Sequence, residues 1–218
     1  MGMSKRIGVI LLAGLLCCMA AGCNVAKNAD TEVILDSLLA KERAGELSIY
    51  MNKEDRFTDV IVESFQKDYY DLEELETMIT EEVAAYNEAN PLEKGTSMEM
   101  VSLEVVEQEA ILIMEYDNWD ALSTYSANEA FDAAEISSAI MVEGDTLTGT
   151  FVDVEGTAMS TEDILKKAAK KKYHKITAAG TAMTIYLERP VLCVSNNVTI
   201  VDEYTVQVTA DESIIITR

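Results

Sequence analysis

The chain has 218 residues, and 39 acidic against 17 basic side chains give it a formal net charge of −22 at pH 7. Such a surface repels nucleic acid and anionic phospholipid, because binding to either depends on Lys and Arg that neutralise phosphates. Hydrophobic residues still make up 49% of the chain. This content is enough for a packed core and argues against an acidic disordered chain. We therefore expect a folded protein with no nucleic-acid partner.

The N-terminus has the layout of a secretory signal peptide. Lys5 and Arg6 precede an apolar run over residues 7–16, and small residues follow that run. The run is shorter than the roughly 20 residues that a membrane-spanning helix needs. Residues 1–22 are therefore predicted to be an export signal.

Cys23 is the predicted lipidation site. Ala20, Ala21 and Gly22 before it resemble a bacterial lipobox, in which the cysteine thiol receives a diacylglyceryl group and cleavage leaves that cysteine as the first residue. Cys17 and Cys18 are adjacent and lack C-x-x-C spacing, so we interpret them as part of the discarded signal. Two acyl chains hold a protein stably in a membrane. We expect an exported protein, anchored by lipid at the outer face of the cytoplasmic membrane.

The next elements predict an α+β domain over residues 46–138, after a lipidated N-terminus and tether at 23–45 that contains a short helix. The order is hairpin, helix, hairpin, helix, with polar residues 52–56 forming the first turn. The clearest helix starts after Asp71, which can cap it, and acidic residues fill its first turn. Its expected core stripe is Leu72, Leu75, Ile79, Val83 and Tyr86.

Residues 139–218 are predicted to be a β-rich subdomain with one helix. A small, polar loop over 127–138 precedes it, two strands are expected around Gly144 and Asp145, and the helix should run from Ser160 to about Lys172. Six β-prone runs follow from Tyr173 onward. Because the turns are too short for parallel crossovers, we predict an α+β fold with mainly antiparallel sheet, two to three packed helices and a β-rich C-terminal third.

The sequence offers little clustered chemistry, and we predict no metal, no cofactor and no catalytic residue. His174 is the only histidine, and the charges of Lys172 and Lys175 beside it should lower its pKa. We favour a surface histidine at a helix end over a catalytic one. Zinc or iron sites need clustered His and Cys, which the chain lacks after residue 22. Cys193 is expected to be a small buried hydrophobe.

Two surface features are candidate contacts. The basic run at residues 166–175 could touch a cell-wall polymer or the membrane face, although cations attracted to a helix C-terminus are the favoured explanation. Its members are Lys166, Lys167, Lys170, Lys171, Lys172 and Lys175. Tyr69, Tyr70 and Trp119 could stack on a sugar or peptide, although core packing is the commoner role of such aromatics.

Two stretches, Val62–Asn87 and Val191–Val208, resemble a family of lipoproteins of unknown function from Gram-positive, Clostridia-type bacteria. The first contains the acidic "DYYD" helix entrance, and the second contains "VS.NV.IV..YTV.V". The resemblance implies surface attachment and a common fold. It carries no catalytic residue to this chain.

Three functions follow as hypotheses. The first is a non-catalytic binding or interaction module of the cell envelope, whose partner is a wall polymer or an envelope protein. The second is an envelope hydrolase that uses an acidic residue pair, for which a cleft with two facing carboxylates would be required. The third is a structural or folding-assistance lipoprotein, which predicts an exposed apolar groove.

Overall fold

The structure is a computed structural model that describes residues 29–67, 70–126, 128–168 and 170–218. The predicted signal peptide and Cys23 lie outside these residues. The α-helices are Ala29–Arg43 (α1), Leu72–Ala89 (α2), Trp119–Tyr125 (α3) and Thr161–Ala168 (α4), and a 3-10 helix covers Glu129–Ala133 (η1). None of the helices described is both long and apolar enough to cross a membrane.

Thirteen strands form two mostly antiparallel sheets, which confirms the α+β fold class and the β-rich C-terminal part. They are Ser48–Met51 (β1), Phe57–Ser64 (β2), Met98–Val106 (β3), Glu109–Tyr116 (β4), Glu135–Ile140 (β5), Phe151–Asp153 (β6), Ala158–Met159 (β7), His174–Ala179 (β8), Met183–Leu187 (β9), Val191–Ser195 (β10), Thr199–Asp202 (β11), Thr205–Val208 (β12) and Ser213–Thr217 (β13).

The internal contacts divide the chain into two compact units. The first contains the described residues up to Glu46 together with Thr58–Asn128, and the second contains Leu47–Phe57 and Glu129–Arg218. The sequence-based division placed 47–57 and 129–138 with the N-terminal domain. The structure groups both segments with the C-terminal strands, because β1 pairs with β9 and β5 pairs with β8.

The first unit is built on three strands in the order β2-β4-β3. β3 and β4 form the second predicted hairpin, with pairs from Met98↔Tyr116 to Val106↔Glu109. Glu107 and Gln108 both have positive φ, at 51° and 70°, as two-residue hairpin turns of type I′ require. Both faces of β4 are buried over residues 110–114, so this strand lies at the centre of the unit's core.

Helix α2 begins where the sequence predicted. The Asp71 carboxylate accepts hydrogen bonds from the backbone N–H groups of Glu73 and Glu74, at 2.8 and 3.2 Å. Leu75 and Ile79 are buried as expected, whereas Leu72 is 37% exposed. Leu72 is the first helical residue, so its inclusion in the core stripe was wrong.

The second unit contains the strand order β11-β12-β9-β1 and the six-stranded sheet β5-β8-β13-β10-β6-β7. β1 pairs with β9 in parallel, from Ser48↔Thr184 to Met51↔Leu187. This parallel pair is an exception to the mainly antiparallel pattern. It joins strands that are far apart in sequence, so no short crossover is needed between them.

Two local predictions differ from the structure. Strand β5 occupies part of the predicted loop at 127–138, because its small and polar residues pair along their whole length with β8. Helix α4 ends at Ala168, and Lys170 to Lys172 follow it. Beneath α4, Ile164 and Ala168 pack into a cluster with Phe151, Cys193 and others of the same unit. This packing fixes the helix next to β6 and β10.

Candidate ligand pocket

The second unit contains an open pocket of about 380 Å³. This volume is within the range of small-molecule sites. Four parts of the unit line it: the β6–β7 hairpin, one face of α4, the start of β10 and the C-terminal Arg218. Met159 and Leu192 supply partly exposed apolar surface, and five charged side chains share the same lining.

The β6–β7 hairpin supplies Asp153 and Glu155. The Asp153 carboxylate oxygen Oδ1 accepts hydrogen bonds from the backbone N–H groups of Glu155 at 3.0 Å and Thr157 at 2.8 Å. These two bonds close the turn, in which Gly156 adopts a φ of 78°. Asp153 therefore shapes this wall of the pocket, while Glu155 is exposed at the turn.

Helix α4 supplies Asp163 and Lys167. Ser160 precedes the helix and donates from its hydroxyl to Oδ2 of Asp163 at 2.7 Å, while the Asp163 N–H donates to the same hydroxyl at 3.1 Å. This exchange of bonds is a helix cap that also orients the carboxylate. Asp163 and Lys167 are four residues apart, which places both on one face of the helix.

Arg218 completes the lining. Its backbone N–H donates to the Pro190 carbonyl at 3.1 Å, which places Arg218 beside the start of β10. Its guanidinium Nη2 bonds Oε1 of Glu203 at 2.8 Å, and both side chains are nearly half exposed. An exposed ion pair of this kind stabilises little, so the guanidinium can exchange partners with a ligand at small cost.

The six lysines of the predicted basic run lie in different surroundings. Lys167 lines the pocket, whereas Lys166 forms an exposed ion pair with Glu162 at 2.7 Å. Lys170, Lys171 and Lys172 are exposed after the helix, and Lys175 is half-buried in β8. Attraction to the helix C-terminus accounts for Lys166 and Lys167 alone, because only these two lie in the last turn of α4.

Of the three predicted aromatic contacts, the structure describes Tyr70 and Trp119. Tyr69 lies outside the described residues. Tyr70 packs against Phe65, with ring centroids 5.2 Å apart. Trp119 is only 6% exposed, so its ring is core and cannot stack on a soluble ligand. The core-packing alternative therefore describes Trp119.

His174 belongs to a polar cluster that the sequence did not reveal. It is the first residue of β8, and its side chain is 12% exposed, so the surface position at a helix end was wrong. The Asp55 carboxylate accepts from Arg189 at 2.6 Å and Ser138 at 2.9 Å, and lies 3.3 Å from His174 Nδ1.

This cluster does not have the arrangement of a catalytic triad. In a triad the histidine stands between the serine and the carboxylate, whereas here Asp55 stands between Ser138 and His174. Burial and the Arg189 charge lower the pKa of His174, against the opposing effect of Asp55. The sequence correctly predicted that the pKa of His174 is lowered. The causes are burial and the Arg189 charge, whereas the sequence had suggested Lys172 and Lys175.

A second missed residue is Asp59, in the first unit. It is 3% exposed, accepts a hydrogen bond from the Ser126 hydroxyl at 2.6 Å, and burial raises its pKa to about 7. Tyr116 is fully buried nearby, and burial and the Asp59 charge raise its pKa. The sequence signal for Asp59 was a single acid within the β-prone run "FTDVIV". Alternation of side chains along a strand does not show which of its faces is buried, so this signal did not predict the burial of Asp59.

The described residues include no group of three or more His, Cys, Asp or Glu placed to hold a metal ion. Cys193 is buried as predicted, and burial raises its pKa to about 12. Comparison of the chain with protein-family models, curated proteins and solved structures finds no match. The resemblance to Gram-positive lipoproteins therefore stays a prediction.

Proposed function

We propose that this protein is a lipid-anchored binding module of the bacterial cell envelope and that the pocket of the second unit is its ligand site. The observation that carries the proposal is the pocket itself, where charges of both signs lie beside the apolar side chains of Met159 and Leu192. Such a mixture can orient a ligand through its charged groups and hold its apolar part against Met159 and Leu192. The signal-like N-terminus and Cys23 support the envelope location.

Blocking the pocket tests this proposal. Ala158 lines the pocket and is exposed, so Ala158→Trp should fill it without disturbing the core. Ala139→Trp is the matched control, because Ala139 is an exposed strand residue of the same unit outside the pocket. A library of charged small molecules is screened by thermal unfolding of the full chain in detergent.

A ligand at about 100 times its Kd stabilises the folded state by about 2.7 kcal/mol, which raises Tm by several degrees. We expect at least one compound to raise Tm for the natural chain and for Ala139→Trp, and to have no effect on Ala158→Trp. If no compound distinguishes the two tryptophan variants, the pocket is not a ligand site.

The anchor has a separate test. Intact-mass analysis of the natural chain, expressed in a Gram-positive host, should show a diacylglyceryl group on a chain that begins at Cys23. The Cys23→Ala variant should carry no lipid. It should also leave the membrane fraction, because the export signal does not anchor the protein in the membrane without an acyl chain. A Cys23→Ala protein that still carries lipid would refute the assignment.

The second candidate function is an envelope hydrolase that uses a carboxylate pair. The observation in its favour is that Asp153, Glu155 and Asp163 line one pocket. Against it, Asp153 and Asp163 both hold local turns through their hydrogen bonds, whereas a general acid and a base must be free to exchange protons. Mass spectrometry of any compound that binds distinguishes the hydrolase from the binding module. A hydrolase releases a cleaved product, whereas a binding module releases the compound intact.

A further inference from the structure

The charged groups of the pocket restrict the ligands that it can hold. Three carboxylates and two cations line one cavity of about 380 Å³. No ion pair within the described part of the chain involves Lys167, and the guanidinium of Arg218 forms an exposed ion pair with Glu203. Two positive charges are thus available in a chain whose net charge is −22.

Ligands of a single charge sign fit this lining poorly. An anion such as phosphate would approach Asp153, Glu155 and Asp163 together with the two cations, and like charges placed close together are costly. A simple cation would pair with the carboxylates but would lie close to the like charges of Lys167 and Arg218, which is costly. A molecule with both an ammonium and a carboxylate can pair with both sets of groups.

From this pattern we infer that the pocket recognises a small zwitterion, namely an amino acid or short peptide with free amino and carboxyl groups and an apolar side chain. The ligand carboxylate pairs with Lys167 and Arg218, and its ammonium pairs with Glu155 and Asp163. Met159 and Leu192, which are partly exposed, receive the apolar side chain. The inference rests on the proposed binding function of the same pocket and names its ligand class.

The test uses calorimetric titration of the full chain in detergent at pH 7, where an α-amino group is mostly protonated. The probes are leucine, leucyl-leucine, N-acetyl-leucyl-leucine and leucyl-leucine amide. We expect leucine or leucyl-leucine to bind, and each blocked form to bind about tenfold more weakly than leucyl-leucine because it loses one charge-assisted contact. The stronger of the two unblocked probes identifies an amino acid or a peptide as the ligand.

Two variants test the partners of the ligand's carboxylate and of its ammonium separately. Lys167→Met should weaken leucyl-leucine binding about tenfold and should not weaken the amide further, since the amide already lacks that contact. Lys166→Met is the matched control: Lys166 is the neighbouring exposed lysine of α4, and its ion pair with Glu162 lies outside the pocket. Glu155→Gln should likewise weaken leucyl-leucine and leave the N-acetyl form unchanged.

Equal binding of blocked and unblocked probes, or equal effects of Lys167→Met and Lys166→Met, would overturn the inference. So would the absence of binding by all four probes. The two proposals then separate through Ala158→Trp: if other compounds of the library still lose binding in that variant, the pocket is a ligand site for a different chemical class. If none does, the binding function fails as well.

Discussion

At the scale of single residues, the burial of Asp59 has a consequence for stability. Its pKa of about 7 in the folded chain exceeds the ordinary value of 3.8, so the folded state holds a proton that the unfolded state has released. The free energy of unfolding therefore falls as pH rises from about 4 to about 7. Above pH 7 Asp59 is ionised in both states, and its burial causes no further loss of stability. A shift of this size corresponds to at most about 4 kcal/mol.

Replacing the carboxyl tests this effect. Asp59→Asn has no charge to bury and can still accept the hydrogen bond of Ser126, so we expect it to lose less stability than the natural chain between pH 4 and pH 8. Urea unfolding across that pH range measures the difference. Asp36→Asn, at an exposed position of α1, is the control and should follow the natural chain. Parallel pH profiles for Asp59→Asn and the natural chain would contradict the account.

At the scale of elements, the end of β8 closely approaches η1. Gly180 has a φ of 90°, its N–H donates to the Ala210 carbonyl at 2.9 Å, and a Cβ added to it would lie 1.8 Å from the carbonyl oxygen of Ala133. Only glycine fits there without a backbone shift. Gly180→Ala should therefore lower the free energy of unfolding by about 2–4 kcal/mol, or prevent folding.

Gly95→Ala is the matched control for this contact. Gly95 also has a positive φ, of 81°, but a Cβ there would meet nothing within 4 Å. It should cost only the conformational penalty of about 1–2 kcal/mol. Equal losses for the two variants in urea unfolding would show that the Ala133 contact contributes nothing.

Elements with strong local signals were predictable, and those set by distant pairing were not. The six C-terminal strands and α2 follow from β-branched residues, turns and the Asp71 cap, and the structure has them all. Strand β5 was missed because its Ser and Ala residues are weak strand formers, and pairing with β8 decides its conformation. The β1–β9 pair depends on tertiary contacts that no local pattern contains.

The candidate pocket was out of reach of sequence reasoning for the same reason. Its walls come from residues 153–167, 191–192 and 218, which only the fold brings together. The basic run indicated the region of Lys167, but not that this lysine alone of the six would line this pocket. The sequence offers no reason to select Asp153 and Asp163 from the 39 acidic residues. Their hydrogen bonds to Thr157 and Ser160 become visible only in the structure.

At the scale of the whole molecule, the charge of −22 opposes compactness. The segment Thr58–Asn128 alone carries eighteen acidic and two basic side chains. Repulsion among exposed charges destabilises a folded chain of large net charge, and salt screens it, with a Debye length of about 10 Å at 0.1 M. Exposed ion pairs such as Arg218–Glu203 are weakened by the same salt, but each contributes little.

Sodium chloride should therefore raise the stability of this protein. Between about 10 mM and about 0.5 M salt, we expect the urea midpoint of the full chain to increase, because loss of repulsion outweighs loss of surface ion pairs. Chloride is the appropriate salt, since sulfate also strengthens apolar burial.

The double variant Glu88→Gln, Glu104→Gln removes two exposed acids of the first unit. Glu88 lies in the last turn of α2, where the helix dipole disfavours negative charge. This variant should be more stable than the natural chain at low salt, and its stability should increase less when salt is added. A urea midpoint of the natural chain that falls as salt is added would contradict the prediction, because it would mean that ion pairs outweigh repulsion.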